Sequence, residues 1–314
     1  MIARQWGMAG LIGLTLWAGL APAQGLVNAV KGKPPAVVNG ETISAADLEG
    51  ALKQLPPMPV QLTSEKRKQI QYEALGMLID EALMKQFLRK NAPPATEADV
   101  NKRMSELIDG LKKQNKTLAD FLKETNQTEK GLRDDLAAQV QWRHYATAHV
   151  TEAEVQNYYK VFKDFFDRVT VRVSHIVLRV APNAPDADRA KARAKLTDLR
   201  QQIVSGKLDF AAAAKANSEC PSAPEGGDLG MIPRKWMVEE SFARAAFALQ
   251  PGQVSDVVQT DYGLHLIKVT ERKPGTPSEY AKIKDEVREF YVEDLRQAIL
   301  AQQRKAAKIE INLP

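Results

Sequence analysis

Residues Val169 to Val180 read VTVRVSHIVLRV, and no other stretch of the 314-residue chain constrains the fold as much. Apolar and polar side chains alternate along it, and β-branched residues dominate, which specifies a strand. A strand by itself leaves backbone N–H and C=O groups unpaired, so the rest of the chain must supply partners. Upstream, residues 44–166 follow a different period. Leu75, Leu78, Ile79, Ala82, Leu83 and Phe87 recur at helical spacing. Helix starts are marked by a hydroxyl residue followed three positions later by an acid, at Ser44/Asp47, Thr96/Asp99, Thr117/Asp120 and Thr151/Glu154. There the hydroxyl accepts from free first-turn N–H groups, and the acid suits the positive end of the helix. The pattern therefore switches at about Arg168 from mostly helical to mixed.

Partners for the strand follow downstream. GQVSDVVQT and GLHLIKVTE read as two more strands separated by a turn at Asp261–Gly263. Between them and the first strand the spacing predicts helices from about Arg189 to Ser205, over Phe210–Asn217 and over Glu240–Ala248. The segments APNAPDAD and NSECPSAPEGGDLG read as loops. KPGTP is a linker, and a long charged helix runs from Tyr280 to about Ala307. The chain closes in KIEINLP, a short strand. Near the other end, PAVVNGETI reads as two strand pieces around an Asn-Gly turn. The two end segments are natural partners, because each alone is unsatisfied. The expected class is α+β, with a mostly helical domain formed by both chain ends and an inserted domain in which helices surround a small antiparallel sheet. Its expected parts are 1–23 (leader), 24–167 (helical domain), 168–273 (insert) and 274–314 (returning helix and strand).

The leader is read from Arg4, the uncharged apolar run Met8–Leu20 and the small residues of Ala21–Pro22–Ala23, which together make a secretory signal with cleavage after Ala23. The run falls short of the ~20 residues that span a bilayer. The expectation is a periplasmic or otherwise exported protein, with an N-terminal inner-membrane anchor as the alternative and no stable membrane insertion elsewhere. The net charge of +5 comes from lysines and arginines interleaved with acids along helices, as in EKRKQIQYEALGMLIDEALMKQFLRK. Such a pattern is a solvated face rather than a nucleic-acid stripe.

Export gives meaning to Cys220, the single cysteine. Structural cysteines in an oxidising compartment come in pairs, so this one is either a small apolar side chain or a thiol kept for chemistry. Of the four histidines, His144 and His149 lie five apart on a predicted helix, not the spacing of a helical metal pair. His175 and His265 each sit mid-strand in an apolar alternating run, where a buried imidazole needs a partner. If the first and last strands of the insert are neighbours, the two imidazoles face each other. Three readings compete for Cys220, His175 and His265: a cysteine hydrolase activated by histidine, a Cys-His-His metal site, and a polar network beneath a non-covalent pocket.

VSHIVL, DFAAAAKANSECPSAPEGGDLG, AFALQPGQVSDVV and TDYGLHLIKV occur in that order between about Val171 and Glu271. In residues and spacing they resemble the parvulin-type peptidyl-prolyl cis-trans isomerase domain. The whole layout is more loosely similar to exported foldases and chaperones of the SurA/PrsA/PpiD type with a single parvulin module. The resemblance implies that His175 and His265 are the paired histidines of the active site. It implies that Cys220 holds a position occupied by cysteine or aspartate, and that Thr260 hydrogen-bonds within the network. Leu229, Met237 and Phe242 would form the apolar pocket for the substrate proline. Met237 and Phe242 stand five apart where the family usually has four, and Trp236 replaces a more usual polar residue.

The implied function is isomerisation of Xaa-Pro bonds during folding of exported proteins, without metal or cofactor and without a covalent step. The implied partners are unfolded, proline-containing polypeptides, exported or outer-membrane proteins, and no nucleic acid. The alternative is a periplasmic holdase whose parvulin module is weakly active or used for docking. The loop Ala181–Ala187 carries no lysine or arginine, which argues against a preference for phosphorylated Ser/Thr-Pro.

Overall fold

A computed structural model describes residues 33–53, 55, 63–125, 127–181 and 183–313. The expected leader, residues 1–23, lies outside the described residues. In chain order the elements are β1 (Ala36–Val38), β2 (Glu41–Ile43), α1 (Ala45–Lys53), α2 (Ser64–Asn91), α3 (Glu97–Lys112), α4 (Leu118–Thr125) and α5 (Glu129–His149). Next come α6 (Glu152–Val161), α7 (Lys163–Phe166), β3 (Thr170–Leu178), α8 (Asp186–Val204), α9 (Phe210–Asn217) and β4 (Asp228–Pro233). The chain ends in α10 (Glu240–Ala248), β5 (Val258–Thr260), β6 (Gly263–Lys273), α11 (Tyr280–Ala306) and β7 (Ile309–Ile311). Two compact units result, one of residues up to Thr151 with Arg288–Pro314, the other of Glu152–Val287.

In the first unit, hydroxyl–acid pairs cap helices as the spacing predicts. Ser44, Thr96 and Thr117 hydroxyls each donate to the carboxylate three residues on, at 2.6 Å, and accept that residue's backbone N–H. Asn39 and Gly40, at φ 52° and 88°, make the tight turn between β1 and β2. β7 pairs antiparallel with the other edge of β1, so the sheet runs β2-β1-β7 and joins the two chain ends. Its buried side chains Ala36 and Val38 pack with Leu48, Leu75, Ile79 and Leu83 into one core. No helix among the described residues is long and apolar enough to cross a membrane.

The second unit is built on an antiparallel sheet in the order β4-β3-β6-β5. Apolar clusters cover both faces. On one, Val171, Val173, Ile267 and Val269 pack with Phe242, Ala246 and Phe247 of α10. On the other, Ile176, Leu178, Leu264 and Leu266 pack with Leu196 and Leu199 of α8 and Phe210 of α9.

Three features depart from the sequence reading. The segment GQVSDVVQT, expected as one strand, is a strand only over Val258–Thr260. Helix α8 begins at Asp186, inside the expected loop. Pro185 stands at its N-cap and Asp186 and Asp188 in its first turn, a combination that suits a helix start. The end of the second expected loop, DLG, and the MIP that follows it form strand β4 on the sheet edge. Its glycine and proline suppress the β signal, and edge strands tolerate both.

Candidate active site

The register of β3 against β6 brings two distant histidines together. His175 lies opposite Ile267, and His265 lies opposite Val177, so the imidazoles are diagonal neighbours on one face. Their Nδ1 atoms stand 3.3 Å apart and the rings stack at 22°. A nitrogen–nitrogen hydrogen bond needs one donor and one acceptor, so only one of the facing atoms carries a hydrogen. Thr260, at the end of β5, puts its hydroxyl 2.8 Å from His265 Nε2 and also accepts the backbone N–H of Tyr262. A chain of three buried side chains results, His175–His265–Thr260. Phe242 packs edge-on against both imidazoles, with centroids 5.7 and 5.5 Å away.

Burial decides the charge of this pair. His175 and His265 are 7% and 5% exposed. Each is pushed down to about 4, mainly by desolvation of the charged form. For His265 the neighbouring His175 adds to the depression, and the Glu239 carboxylate opposes it. Both rings are therefore neutral at neutral pH. Among the described residues, His175 Nε2 is buried without a hydrogen-bond partner, as is Ser222 Oγ in the loop beside β3.

That loop is docked through backbone contacts. Glu219 N–H donates to the Val177 carbonyl, and the Glu219 carboxylate accepts Arg179 N–H. Further on, His175 N–H donates to the Gly227 carbonyl at 2.9 Å. Gly227 has φ 80°, and a Cβ there would lie 2.1 Å from the His175 carbonyl oxygen. Only glycine allows the loop this close to β3. Just beyond, β4 carries a bulge, since Val173 pairs with Gly230 and Ser174 with Asp228. Leu229 is the extra residue, and its side chain packs on the cluster that contains Phe242. Bulges of this kind re-aim a side chain beside a site.

The named candidates are thus arranged unequally. His175, His265, Thr260 and Phe242 are in direct mutual contact, and Leu229 joins their apolar cluster. Met237 is 54% exposed at the surface. Cys220 is half-buried in the loop, and its backbone N–H donates to Ser218 Oγ. Among the described residues its thiol has no hydrogen-bond partner. The five-residue step from Met237 to Phe242 is taken up by Val238, which packs on the core, and by extended Glu239 ahead of α10. Phe242 then comes as the third residue of the helix.

Sequence reasoning passed over Glu239. Its carboxylate accepts Asp261 N–H at 2.8 Å and the Ser241 hydroxyl at 2.7 Å, tying the start of α10 to the turn after Thr260. Gly227 was visible as half of a double glycine, although its partner was not. His149, in the other unit, donates from Nδ1 to the Tyr145 carbonyl and stacks on that ring. Among the described residues no group of three or more His, Cys, Asp and Glu side chains is placed to hold a metal ion.

Residues 175–271 match the rotamase family described as the PPIC-type PPIase domain. The foldase protein PrsA of a Geobacillus species is 34% identical over 220 residues, covering 67% of this chain and 71% of that protein. The chaperone SurA of Alkalilimnicola ehrlichii is 29% identical over 259 residues, 76% of this chain and 56% of SurA, so the chain spans about half of that relative. Among solved structures, the peptidylprolyl isomerase PrsA of Bacillus anthracis aligns with TM-score 0.44 and 21% identity, over 73% of this chain and 96% of that one.

Proposed function

We propose a mechanism from one premise: this chain belongs to the parvulin-type family of peptidyl-prolyl cis-trans isomerases, with PrsA foldases and SurA chaperones among its relatives. Its substrate is the Xaa-Pro bond, and its reacting centre is built from Phe242, Leu229 and the His175–His265–Thr260 chain. The observation that carries this reading is the buried, neutral histidine pair packed against Phe242, with His175 Nε2 left without a partner among the described residues.

An amide C–N bond resists rotation by roughly 18–20 kcal/mol because resonance spreads negative charge to oxygen and positive charge to nitrogen. Unaided, an Xaa-Pro bond turns over in tens to hundreds of seconds. Twisting removes the charge separation. A dry site lined by Phe242 and neutral imidazoles therefore disfavours the planar, dipolar ground state relative to the twisted one, which is differential binding of the transition state. A cationic imidazolium would do the opposite, by stabilising the planar carbonyl. The hydrogen-bond chain has two settings. When Thr260 donates to His265 Nε2, His265 donates to His175, and His175 Nε2 carries a hydrogen. When the chain reverses, that atom carries a lone pair. No bond to Cys220 is made at any stage.

Clients in this reading are unfolded, proline-containing polypeptides, and the leader-like Met1–Ala23 sequence supports export. The insert 168–273 does the chemistry, while residues 24–167 and 274–314 hold the client. A second reading, a holdase with a docking-only parvulin module, is favoured by the large helical unit outside the matched segment and by the chaperone name of one relative. A protease-coupled cis/trans assay on a short Xaa-Pro peptide, run beside suppression of aggregation of an unfolded protein, separates them. Catalysed isomerisation is expected, and its absence with intact aggregation suppression would replace the enzyme reading by the holdase one.

A further inference from the structure

The residues between β4 and α10 are anchored in an unusual way. Lys235 is 8% exposed, and its ammonium donates to the Tyr158 hydroxyl at 2.5 Å. The same ammonium sits 4.3 Å from the Phe162 ring centroid, 4.9 Å from Tyr158 and 6.0 Å from Phe165. Its neighbour Arg234, also buried, grips the Glu240 carboxylate through two bonds, and its guanidinium lies 4.9 Å from the Phe162 ring centroid. Lys235 is thus held on rings of α6, of α7 and of Phe162 between them, and Arg234 shares Phe162; this segment precedes the matched residues 175–271.

A separate observation concerns the next residue. Trp236 has φ 70°, a left-handed conformation that a bulky L side chain enters only at a cost. Its indole stands edge-on to Phe165 at 4.8 Å, yet half of it is exposed, and Met237 beside it is exposed as well. Strain of this kind persists where the surroundings over-determine it, and it concentrates at ligand clamps.

We propose that the aromatic cage of α6 and α7 around Lys235 is a positioning device for the isomerase site: it holds Trp236 and Met237 as a fixed apolar lip that grips the proline-containing peptide. The inference rests on the isomerase reading above. In it Phe162 and Lys235 are positioning residues, acting on the peptide through Trp236 and Met237.

Phe162→Leu tests this, because it keeps apolar bulk and removes the π-face from both cations. The full chain is labelled with 5-fluorotryptophan, and the Trp236 resonance is identified by its loss in Trp236→Phe. Phe162→Leu is expected to shift or broaden that resonance and to raise KM for a short Xaa-Pro peptide about fivefold, the loss of one strong cation–π contact. kcat stays within about twofold, since the imidazoles are untouched. Phe162→Tyr restores both readouts. Lys235→Met, which removes the charge from the opposite side of the contact, supplies the same comparison should Phe162→Leu melt below the assay temperature. Peptide affinity is read in parallel from the fluorine titration, so an inactive wild-type chain refutes the isomerase reading while the affinity still tests the lip. An unmoved Trp236 resonance, a loss confined to kcat, or a moved resonance with unchanged KM and affinity would overturn the proposal.

Discussion

Acidification should destabilise the parvulin unit through its histidine pair, at a pH where most carboxylates are still ionised. Each imidazole has an ordinary value of 6.5 and is held at about 4 in the folded chain, chiefly by burial. The folded value is the depressed one, so between these limits the unfolded chain binds more protons, and stability rises with pH. The contribution is fully present above about pH 6.5 and is lost as pH falls toward 4. Working the proton linkage at pH 5 gives a loss of ~2 kcal/mol per histidine and ~4 kcal/mol for the pair relative to pH 7.5. Folded domains hold only about 5–15 kcal/mol in all, so this is a large fraction. Asp167 and Asp228, whose carboxylates are held low by their hydrogen bonds, add their own loss only at more acid pH. The assay is urea unfolding followed by circular dichroism at steps from pH 7.5 to 5, beside two-dimensional NMR of the imidazoles. Wild type should lose stability at a slope approaching about 2.7 kcal/mol per pH unit. A His175→Phe/His265→Phe variant should lose almost none over that window. An imidazole of the pair that titrates near 6.5, or equal slopes in wild type and variant, would refute the reasoning that these rings are desolvated and neutral.

Gly227→Ala places a methyl where the His175 carbonyl sits and forces φ 80° on an L residue. The left-handed backbone alone costs about 1–2 kcal/mol, and displacement of the loop from β3 adds to it, so thermal melting should fall by several degrees and isomerase activity with it. An unchanged melting temperature would mean that the loop is not docked on β3. Thr260→Val keeps the shape but strips the hydroxyl from His265 Nε2, leaving a buried nitrogen unpaired at a cost of about 1–3 kcal/mol. kcat should drop with KM little changed in the protease-coupled assay, and a normal kcat would remove Thr260 from the mechanism. Cys220→Ser should retain most activity, since the thiol has no hydrogen-bond partner among the described residues. Activity at background in a folded Cys220→Ser protein would require a thiol step.

What the amino-acid sequence by itself determined is local. The hydroxyl–acid pairs at Ser44, Thr96 and Thr117 cap helices because both partners lie within one turn. The Asn39–Gly40 turn follows from two residues tolerant of positive φ. The alternation of Val169–Val180 announces β3, and the ordered motifs around His175, Cys220 and His265 are legible in the sequence as a resemblance. The tertiary structure decided whatever depends on residues far apart in the chain. The β3–β6 register alone sets His175 Nδ1 against His265 Nδ1. β4 was hidden because its pairing partner, not its own composition, makes it a strand. The neutrality of the histidines comes from desolvation by Phe242 and the sheet, and no local spacing encodes it. The anchoring of Lys235 on rings of α6 and α7 is of the same kind. Short-range hydrogen bonds are specified by neighbouring side chains, whereas register, burial and ring contacts are collective outcomes of the packed core. They exist only once distant segments have met.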